Sequence, residues 1–330
     1  MKCTSVVNKA KEPSIQAMRN LFFLLVFSLL IPVFGQAQNK VKLSSTAQKE
    51  LKLYEDTLGV LSFLIINDSL PESRFAATRK MILTLKKARK VTNSYQYKFS
   101  RLKPISIQYA PDSTFRIFTW QLFVDDNTYH YYGVIQMNSP ELKMYPLVDR
   151  SAKIEDVQQA INGPDNWYGV IYYNILKLKD PAGPKYLLFG LDTYSFFKRR
   201  KVIDVLTFKD DQIVFGAPVF PKTINNEGPV NRLLLEYSAE TSVKMNWDEA
   251  MGMIIFDHLI PFNGTAKSGP VNVPDGTYEG FKIEQGKLAY FDKLETQILD
   301  EAPTPTPLNA KKNVIYDRSN PTGKKKTGQN

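Results

Sequence analysis

The sequence predicts a mainly β, α+β protein in which an N-terminal helical hairpin packs on a large antiparallel meander of strands, arranged as a sandwich or a barrel. Residues 45–90 repeat apolar side chains at helical spacing, whereas residues 95–291 are rich in Tyr, Phe, Val, Ile and Thr. The turns between strands are short and polar, which implies antiparallel pairing. A propeller is less favoured, because the internal repeat is limited to one echo of 131–135 at 167–171.

The first segment of the chain has the pattern of an export signal. Basic residues precede a mostly apolar run at 21–34, and Gly35 and Ala37 are the small residues that cleavage after residue 37 requires. The run is shorter than the roughly 20 residues of a spanning helix, which favours a cleaved signal over a retained anchor. Met18 is an alternative start. We therefore expect a protein that is periplasmic, bound to the cell envelope or secreted.

The position of the single cysteine and the distribution of charge along the chain exclude several classes of function. Cys3 lies in the predicted signal, so the mature chain would have no disulfide, thiolate metal site or cysteine nucleophile. The net charge of +10 comprises +3 from residues 1–37 and +5 from residues 302–330, which leaves +2 for residues 38–301. This nearly neutral body argues against a nucleic-acid partner. We also expect no cofactor and no metal, because no ligand spacing of a metal site occurs.

Changes in amino-acid composition along the chain predict the domain boundaries. The sequence predicts a signal at 1–37, a helical hairpin at 38–92, a β domain at 93–298 and a disordered tail at 299–330. The tail starts with alternating prolines at 302–307, continues to the lysines at 324–326, and contains few apolar residues. It is either a solvated segment or an electrostatic tether to an anionic envelope surface.

Two amphipathic stretches predict the helical hairpin. The first starts at a capping box beginning with Ser45, and one face carries Leu51, Tyr54, Leu58, Leu61 and Ile65. The second starts near Pro71 and extends to Lys90, and its predicted apolar side contains Phe75, Ile82 and Leu85. Each helix has one apolar face, so the pair must pack on the β domain.

Thirteen strands are predicted in the β domain, and a helical pattern at 154–161 interrupts them. The predicted strands are 95–99, 105–109, 115–124, 129–137, 167–177, 186–191, 201–208, 213–215, 232–237, 243–247, 253–259, 276–283 and 288–291.

Catalytic motifs are scarce. The chain has no phosphate-binding loop, dinucleotide fingerprint, HExxH, calcium loop or GxSxG elbow. A Ser-His-Asp arrangement would have to use His130 or His258. Asp257 precedes His258, but neighbours in a strand point to opposite faces and cannot act as an adjacent pair. For both histidines the alternative is a structural position within a strand.

Carboxylates, aromatics and one basic cluster supply the remaining candidates. Paired carboxylates catalyse glycoside hydrolysis, and the candidates here are Asp125, Asp192, Asp257 and Asp275, for which turn capping is the alternative. Trp120 and Trp167 would form a platform for sugar or peptide, or belong to the sheet core. The basic cluster Lys198, Arg199 and Arg200 either grips phosphate or acidic glycan or forms a solvated hairpin tip.

Several strand blocks carry a family resemblance. The blocks at 115–120, 167–173, 201–208, 213–220, 235–238 and 253–259 together resemble an uncharacterised family of exported bacterial proteins with a β-rich body. The resemblance implies export and a β-rich fold, and it implies no activity and no catalytic residue.

These observations favour a non-enzymatic binding or scaffold module of the cell envelope. The partner would be an envelope glycan, a peptide or another envelope protein. The alternative is a hydrolase that acts on envelope polysaccharide or peptide through paired carboxylates.

Overall fold

A computed structural model of the chain describes residues 42–125, 127–139, 142–181, 183–209, 212–223, 227–265 and 267–294. The predicted export signal and the predicted C-terminal tail lie outside the described residues.

Two helices begin the described structure, α1 (Ser45–Asn67) and α2 (Pro71–Ala88). The cap of α1 is Ser44 rather than Ser45, because Ser44 has an extended backbone and its hydroxyl accepts a 3.1 Å hydrogen bond from the Ala47 amide. The predicted apolar face of α1 is confirmed, since Leu51, Leu58, Leu61 and Ile65 are buried and Tyr54 is half-buried.

Helix α2 presents a different face to the core from the predicted one. Leu85 is buried as expected, but Phe75 and Ile82 are 39% and 38% exposed. The buried side of α2 includes Arg74, whose guanidinium donates a 3.0 Å hydrogen bond to the Phe123 carbonyl oxygen. This bond to the neighbouring sheet fixes a rotation of α2 that apolar spacing alone did not indicate.

Thirteen strands form three antiparallel sheets within the described part of the chain. Sheet 1 has the order β1 (Ser106–Tyr109), β2 (Phe115–Asp125), β3 (Thr128–Met137), β4 (Met144–Val148). Sheet 2 has the order β5 (Ile171–Leu178), β6 (Lys185–Asp192), β7 (Lys198–Lys209), β8 (Gln212–Phe215), and β9 (Leu233–Ser238) also pairs with β7. Sheet 3 has the order β10 (Met245–Asp248), β11 (Met253–Phe262), β12 (Val271–Glu284), β13 (Lys287–Phe291).

The helices and the three sheets stack as successive layers with a hydrophobic core between each pair. In β2, Ile117 faces sheet 2, whereas its neighbour Phe118 faces the helices. In β6, Leu188 faces sheet 1 and Leu187 faces sheet 3. This alternation follows from the two-residue period of a strand. The predicted α+β class and the sandwich alternative are confirmed, because each described sheet is open rather than closed into a barrel.

Two predicted elements are wrong, and one strand was not predicted. Residues 95–99 do not form a strand, because the chain there makes a 3₁₀ turn (Ser94–Gln96) between left-handed Asn93 and Phe99. Residues 154–161 form no helix. Strand β4 was missed because Pro146 weakens its strand signal, and its position at the edge of sheet 1 is where a strand tolerates proline.

The repeat at 167–171 does not build a propeller blade. Its first copy lies within β3, whereas Trp167 in the second copy makes only an isolated bridge to Asp149. Of the helices in the described part, neither is long and apolar enough to cross a membrane.

Candidate functional site

A cleft of about 450 Å³ opens where β3, the segment after β4 and the β6–β7 connection meet. We call it the Asp192 cleft, because Asp192 at the end of β6 lies among its lining residues. Three of the residues predicted from the sequence lie together here, since His130, Asp192 and Arg200 all line this cleft.

Asp192 is buried and accepts three hydrogen bonds from the protein. Its Oδ1 accepts from the Tyr131 hydroxyl at 2.8 Å and from the Tyr194 amide at 2.9 Å, and its Oδ2 accepts from the Tyr168 hydroxyl at 2.6 Å. Burial raises the pKa of Asp192, although these hydrogen bonds act in the opposite direction. The carboxylate is therefore a fixed acceptor beneath the cleft.

The two tyrosines that donate to Asp192 each accept a hydrogen bond at the same hydroxyl oxygen. The Tyr131 oxygen accepts a 2.8 Å hydrogen bond from the Thr193 amide, and the Tyr168 oxygen accepts a 3.2 Å bond from Arg200 Nη1. Burial, followed by the nearby Asp192 charge, raises the pKa of both tyrosines. Both hydroxyls therefore keep their protons and remain donors to the carboxylate.

Arg200 on β7 connects this network to Glu236 on the neighbouring strand β9. Its Nε and Nη2 donate to Glu236 Oε2 at 2.9 and 2.8 Å, Lys198 Nζ lies 2.9 Å from Glu236 Oε1, and the guanidinium lies 3.4 Å from the Tyr194 ring centroid. Burial acts to raise the pKa of Glu236, but the hydrogen bonds from Lys198 and Arg200 outweigh it and lower that pKa. The basic cluster is thus part of β7 rather than a solvated hairpin tip, and Arg199 lines a separate depression.

Asp149 is the second carboxylate of the cleft and was not among the predicted residues. Its Oδ2 accepts from the Tyr131 amide at 2.9 Å, and its Oδ1 accepts from the Ser151 amide and hydroxyl at 3.0 and 2.6 Å. The Asp-x-Ser order after a strand is the sequence signal for this turn. Gly169 permits the close approach, since a Cβ there would lie 2.7 Å from Asp149 Cγ.

The rim of the cleft is basic. Arg150 and Lys153 line it and are exposed, and neither pairs with a carboxylate of the described residues. His130 is also exposed, and its ring lies 6.2 Å from that of Phe75 on α2. The arrangement combines a rigid polar floor with unpaired cations above it, which suits an anionic ligand.

The remaining acidic and histidine candidates lie elsewhere. Asp125 is an exposed turn residue whose pKa is lowered first by its hydrogen bond from the Asn127 amide. In sheet 3, His258 Nδ1 lies 2.9 Å from Asp275 Oδ2, whereas Asp257 accepts a hydrogen bond from the Lys244 amide. Asp275 has a pKa of about 2, chiefly because of its hydrogen bonds from Thr277. Asp257 and His258 therefore contact different neighbours, and the four predicted aspartates do not share one cleft.

Sheet 3 also contains a buried carboxylate that the sequence did not single out. Glu279 is fully buried and accepts a hydrogen bond from the Tyr290 hydroxyl, and burial raises its pKa. Among the residues that the structure describes, no group of three or more His, Cys, Asp or Glu is arranged to hold a metal ion.

The two tryptophan candidates are core residues. Trp167 is fully buried, and its indole donates a 3.0 Å hydrogen bond to the Tyr172 hydroxyl. Trp120 is buried between sheet 1 and the helices, where it stacks on Tyr132. Neither ring presents a face to the solvent, so the predicted aromatic platform is replaced by the sheet-core alternative.

Comparison with known proteins gives no match: no family model, no curated protein and no solved structure matches this chain. The function is therefore argued from the geometry of the cleft.

Proposed function

We propose that the protein is an exported, non-enzymatic binding module of the cell envelope, and that its Asp192 cleft holds a small anionic ligand. One observation carries the proposal: the carboxylates of the cleft are occupied by donors from the protein, whereas the rim cations Arg150 and Lys153 have no carboxylate partner among the described residues. A ligand that supplies a negative group would complete this arrangement.

The engaged carboxylates favour binding over hydrolysis. A general acid or base must reach the substrate with a free lone pair or a transferable proton. Each oxygen of Asp192 and of Asp149 already accepts at least one hydrogen bond from the protein, and three bonds converge on each carboxylate. A carboxylate has about four acceptor sites, so only one, on Oδ2, is left on each group for a substrate.

The cleft also limits the ligand in size and chemistry. Its volume of about 450 Å³ lies within the range of small-molecule sites, which suits a sugar or a short peptide end. Arg150 and Lys153 would bind a carboxylate or phosphate. The ligand class that fits is therefore a sugar or a peptide end that carries a carboxylate or phosphate group, and a carboxylate-bearing sugar is its simplest member.

The test is isothermal titration of residues 38–330, which retain every described residue, with glucuronate and with uncharged glucose as the matched ligand. We expect glucuronate alone to bind, and Arg150→Gln/Lys153→Gln to weaken it about tenfold or more, since hydrogen bonds to charged groups contribute about 1.5–3 kcal/mol. Lys267→Gln, in an exposed turn of sheet 3, is the control variant and should bind as the parent does.

Two results would contradict the proposed function. Equal binding of glucose and glucuronate would remove the role of the rim cations. Release of reducing sugar from an envelope polysaccharide would replace the proposal with the hydrolase alternative. Export is tested separately, by whether residues 1–37 fused to alkaline phosphatase yield active enzyme outside the cytoplasm.

A further inference from the structure

The outward face of the helical hairpin is unusually apolar. Nine of the twenty large hydrophobic side chains exposed in the described structure lie on α1, α2 or the turn between them. On α1 they include Leu53, Val60, Phe63 and Leu64, and Val60 and Phe63 are 63% and 60% exposed. Single exposed hydrophobic residues are ordinary, but a cluster of this kind marks an interaction surface.

The sequence predicts one apolar face for α1, but in its second half, residues 58–66, apolar side chains lie on the exposed side as well as on the side that packs on sheet 1. Leu61 and Ile65 are buried beneath the second half of the helix, while Val60, Phe63 and Leu64 between and beside them face the solvent. A helical segment that is apolar on all sides is ordinarily buried on all sides. The exposed side of this segment therefore requires an apolar environment that the described fold does not provide.

Helix α2, which packs against α1, carries cations on its own exposed side. Leu83, 56% exposed, projects from a side of α2 that also carries Arg79, Lys80, Lys86 and Lys87. None of these four cations pairs with a carboxylate in the described residues. We call the apolar side chains of α1 together with Leu83 and these cations the hairpin outer face.

The positive charge of the folded part is concentrated in this hairpin. Residues 45–90 contain nine basic and five acidic residues, a net charge of +4, whereas residues 38–301 together carry only +2. Arg74 and Arg89 are buried, Glu55 is buried, and Asp56 pairs with Arg101. Seven basic residues then remain against three acidic ones, Glu50, Asp68 and Glu72. The outer face is therefore complementary to a negatively charged surface.

We infer that the hairpin outer face adsorbs to an anionic lipid bilayer, with α1 and α2 lying in the plane of the membrane surface. Aliphatic and phenyl side chains flanked by Lys and Arg are the composition of interfacial helices, whose apolar side enters the boundary between headgroups and acyl chains. The cations of α2 would remain at headgroup level, where their long side chains reach the lipid phosphates. This surface is separate from the Asp192 cleft, and the inference does not depend on the ligand proposed there.

The experiment is co-sedimentation of residues 38–330 with vesicles of phosphatidylcholine alone or with 30% phosphatidylglycerol. We expect binding to the anionic vesicles that weakens as NaCl is raised from 50 to 500 mM. The double substitution Phe63→Asp/Leu64→Asp should lower the partition coefficient about tenfold or more, because burying one Phe side chain alone is worth that factor.

A matched control separates the hairpin from other contributions. Phe262 is similarly exposed, at 57%, but belongs to sheet 3, the layer farthest from the helices, so Phe262→Asp should bind as the parent does. Lys86→Gln/Lys87→Gln should reduce the salt dependence of vesicle binding and lower the melting temperature only slightly, because both lysines lie in the last turn of α2, where they interact with the helix dipole. All variants share the basic tail, so its electrostatic contribution is constant.

Three outcomes would overturn the inference. The first is no binding to the anionic vesicles at 50 mM NaCl. The second is binding that Phe63→Asp/Leu64→Asp leaves unchanged, which would assign it to charge outside the hairpin outer face. The third is a dimer in light scattering that the same double substitution dissociates, with no vesicle binding, which would make a second copy of the chain the occupant.

Discussion

Replacing Asp204 with Leu is expected to destabilise the fold by about 3–5 kcal/mol, because it leaves the Arg232 guanidinium charged and unpaired in the core. Both side chains are fully buried, and Asp204 Oδ1 lies 3.0 Å from Arg232 Nε. This contact between Asp204 Oδ1 and Arg232 Nε does not have hydrogen-bond geometry, so the interaction is charge attraction. The guanidinium also donates to the Val157 carbonyl oxygen and lies over the Tyr168 ring of the cleft.

The matched variants form a double-mutant cycle. Asp204→Leu/Arg232→Met removes both charges, so the penalty for an isolated charge disappears and only the lost hydrogen bonds remain. We expect the double variant to be destabilised by at least about 2 kcal/mol less than the sum of the two single variants. Urea unfolding followed by circular dichroism and by tryptophan fluorescence measures each free energy and checks that the two transitions coincide.

Additivity would refute this reasoning. If the single effects sum to the double effect within about 0.5 kcal/mol, the charges do not interact and water must reach Arg232. The same result would weaken the view of the Asp192 cleft as rigid, because Tyr168 packs against that guanidinium.

Two further predictions concern packing and acid stability. Gly169→Ala would place a Cβ 2.6 Å from Tyr131 Cβ and should cost about 1–3 kcal/mol in thermal unfolding, whereas Gly59→Ala in α1 meets nothing within 4 Å and should stabilise by up to about 1 kcal/mol. Equal melting temperatures for the two variants would contradict this. Burial acts to raise the pKa of Asp112, but hydrogen bonds from Lys177 and two hydroxyls outweigh it and lower that pKa to about 2. Because the folded pKa lies below the ordinary 3.8, this stabilisation is present above pH 4 and is lost as the pH falls towards 2. Asp112→Asn should flatten the stability profile in that window, and an unchanged profile would contradict the assignment.

The spacing of apolar residues was sufficient to predict those helices and strands whose structure depends mainly on their own sequence. The helical spacing of α1 and the alternation of strands such as β2 and β3 predicted these elements with small errors in their ends. The false strand at 95–99 shows where pattern fails. Arg116 is buried beneath that segment and donates to the Ser94 and Tyr97 carbonyl oxygens, so tertiary hydrogen bonds hold an irregular backbone in a sequence rich in aromatic residues.

Only part of the candidate site could be predicted from the sequence. His130, Asp192 and Arg200 were singled out for their chemistry, and all three line one cleft. Tyr131 and Tyr168 were not, because a tyrosine in a β-rich segment has the same sequence signal whether it packs in a core or binds a carboxylate. Their convergence on Asp192 depends on strands and loops separated by 24 to 61 residues, which periodicity does not encode.

Charge distribution, rather than net charge, decides which anionic partner the fold would accept. The value of +2 for residues 38–301 argues against nucleic acid for the fold as a whole, yet it conceals a hairpin of +4 on a negatively charged remainder. Nucleic-acid surfaces combine cations with hydrogen-bonding and stacking side chains. The hairpin outer face has one aromatic side chain, Phe63, and otherwise combines its cations with aliphatic side chains such as Leu53, Val60 and Leu64, which gain nothing from phosphate or base edges. A bilayer with anionic headgroups is negatively charged at its surface and apolar just beneath it, so it matches both halves of this face.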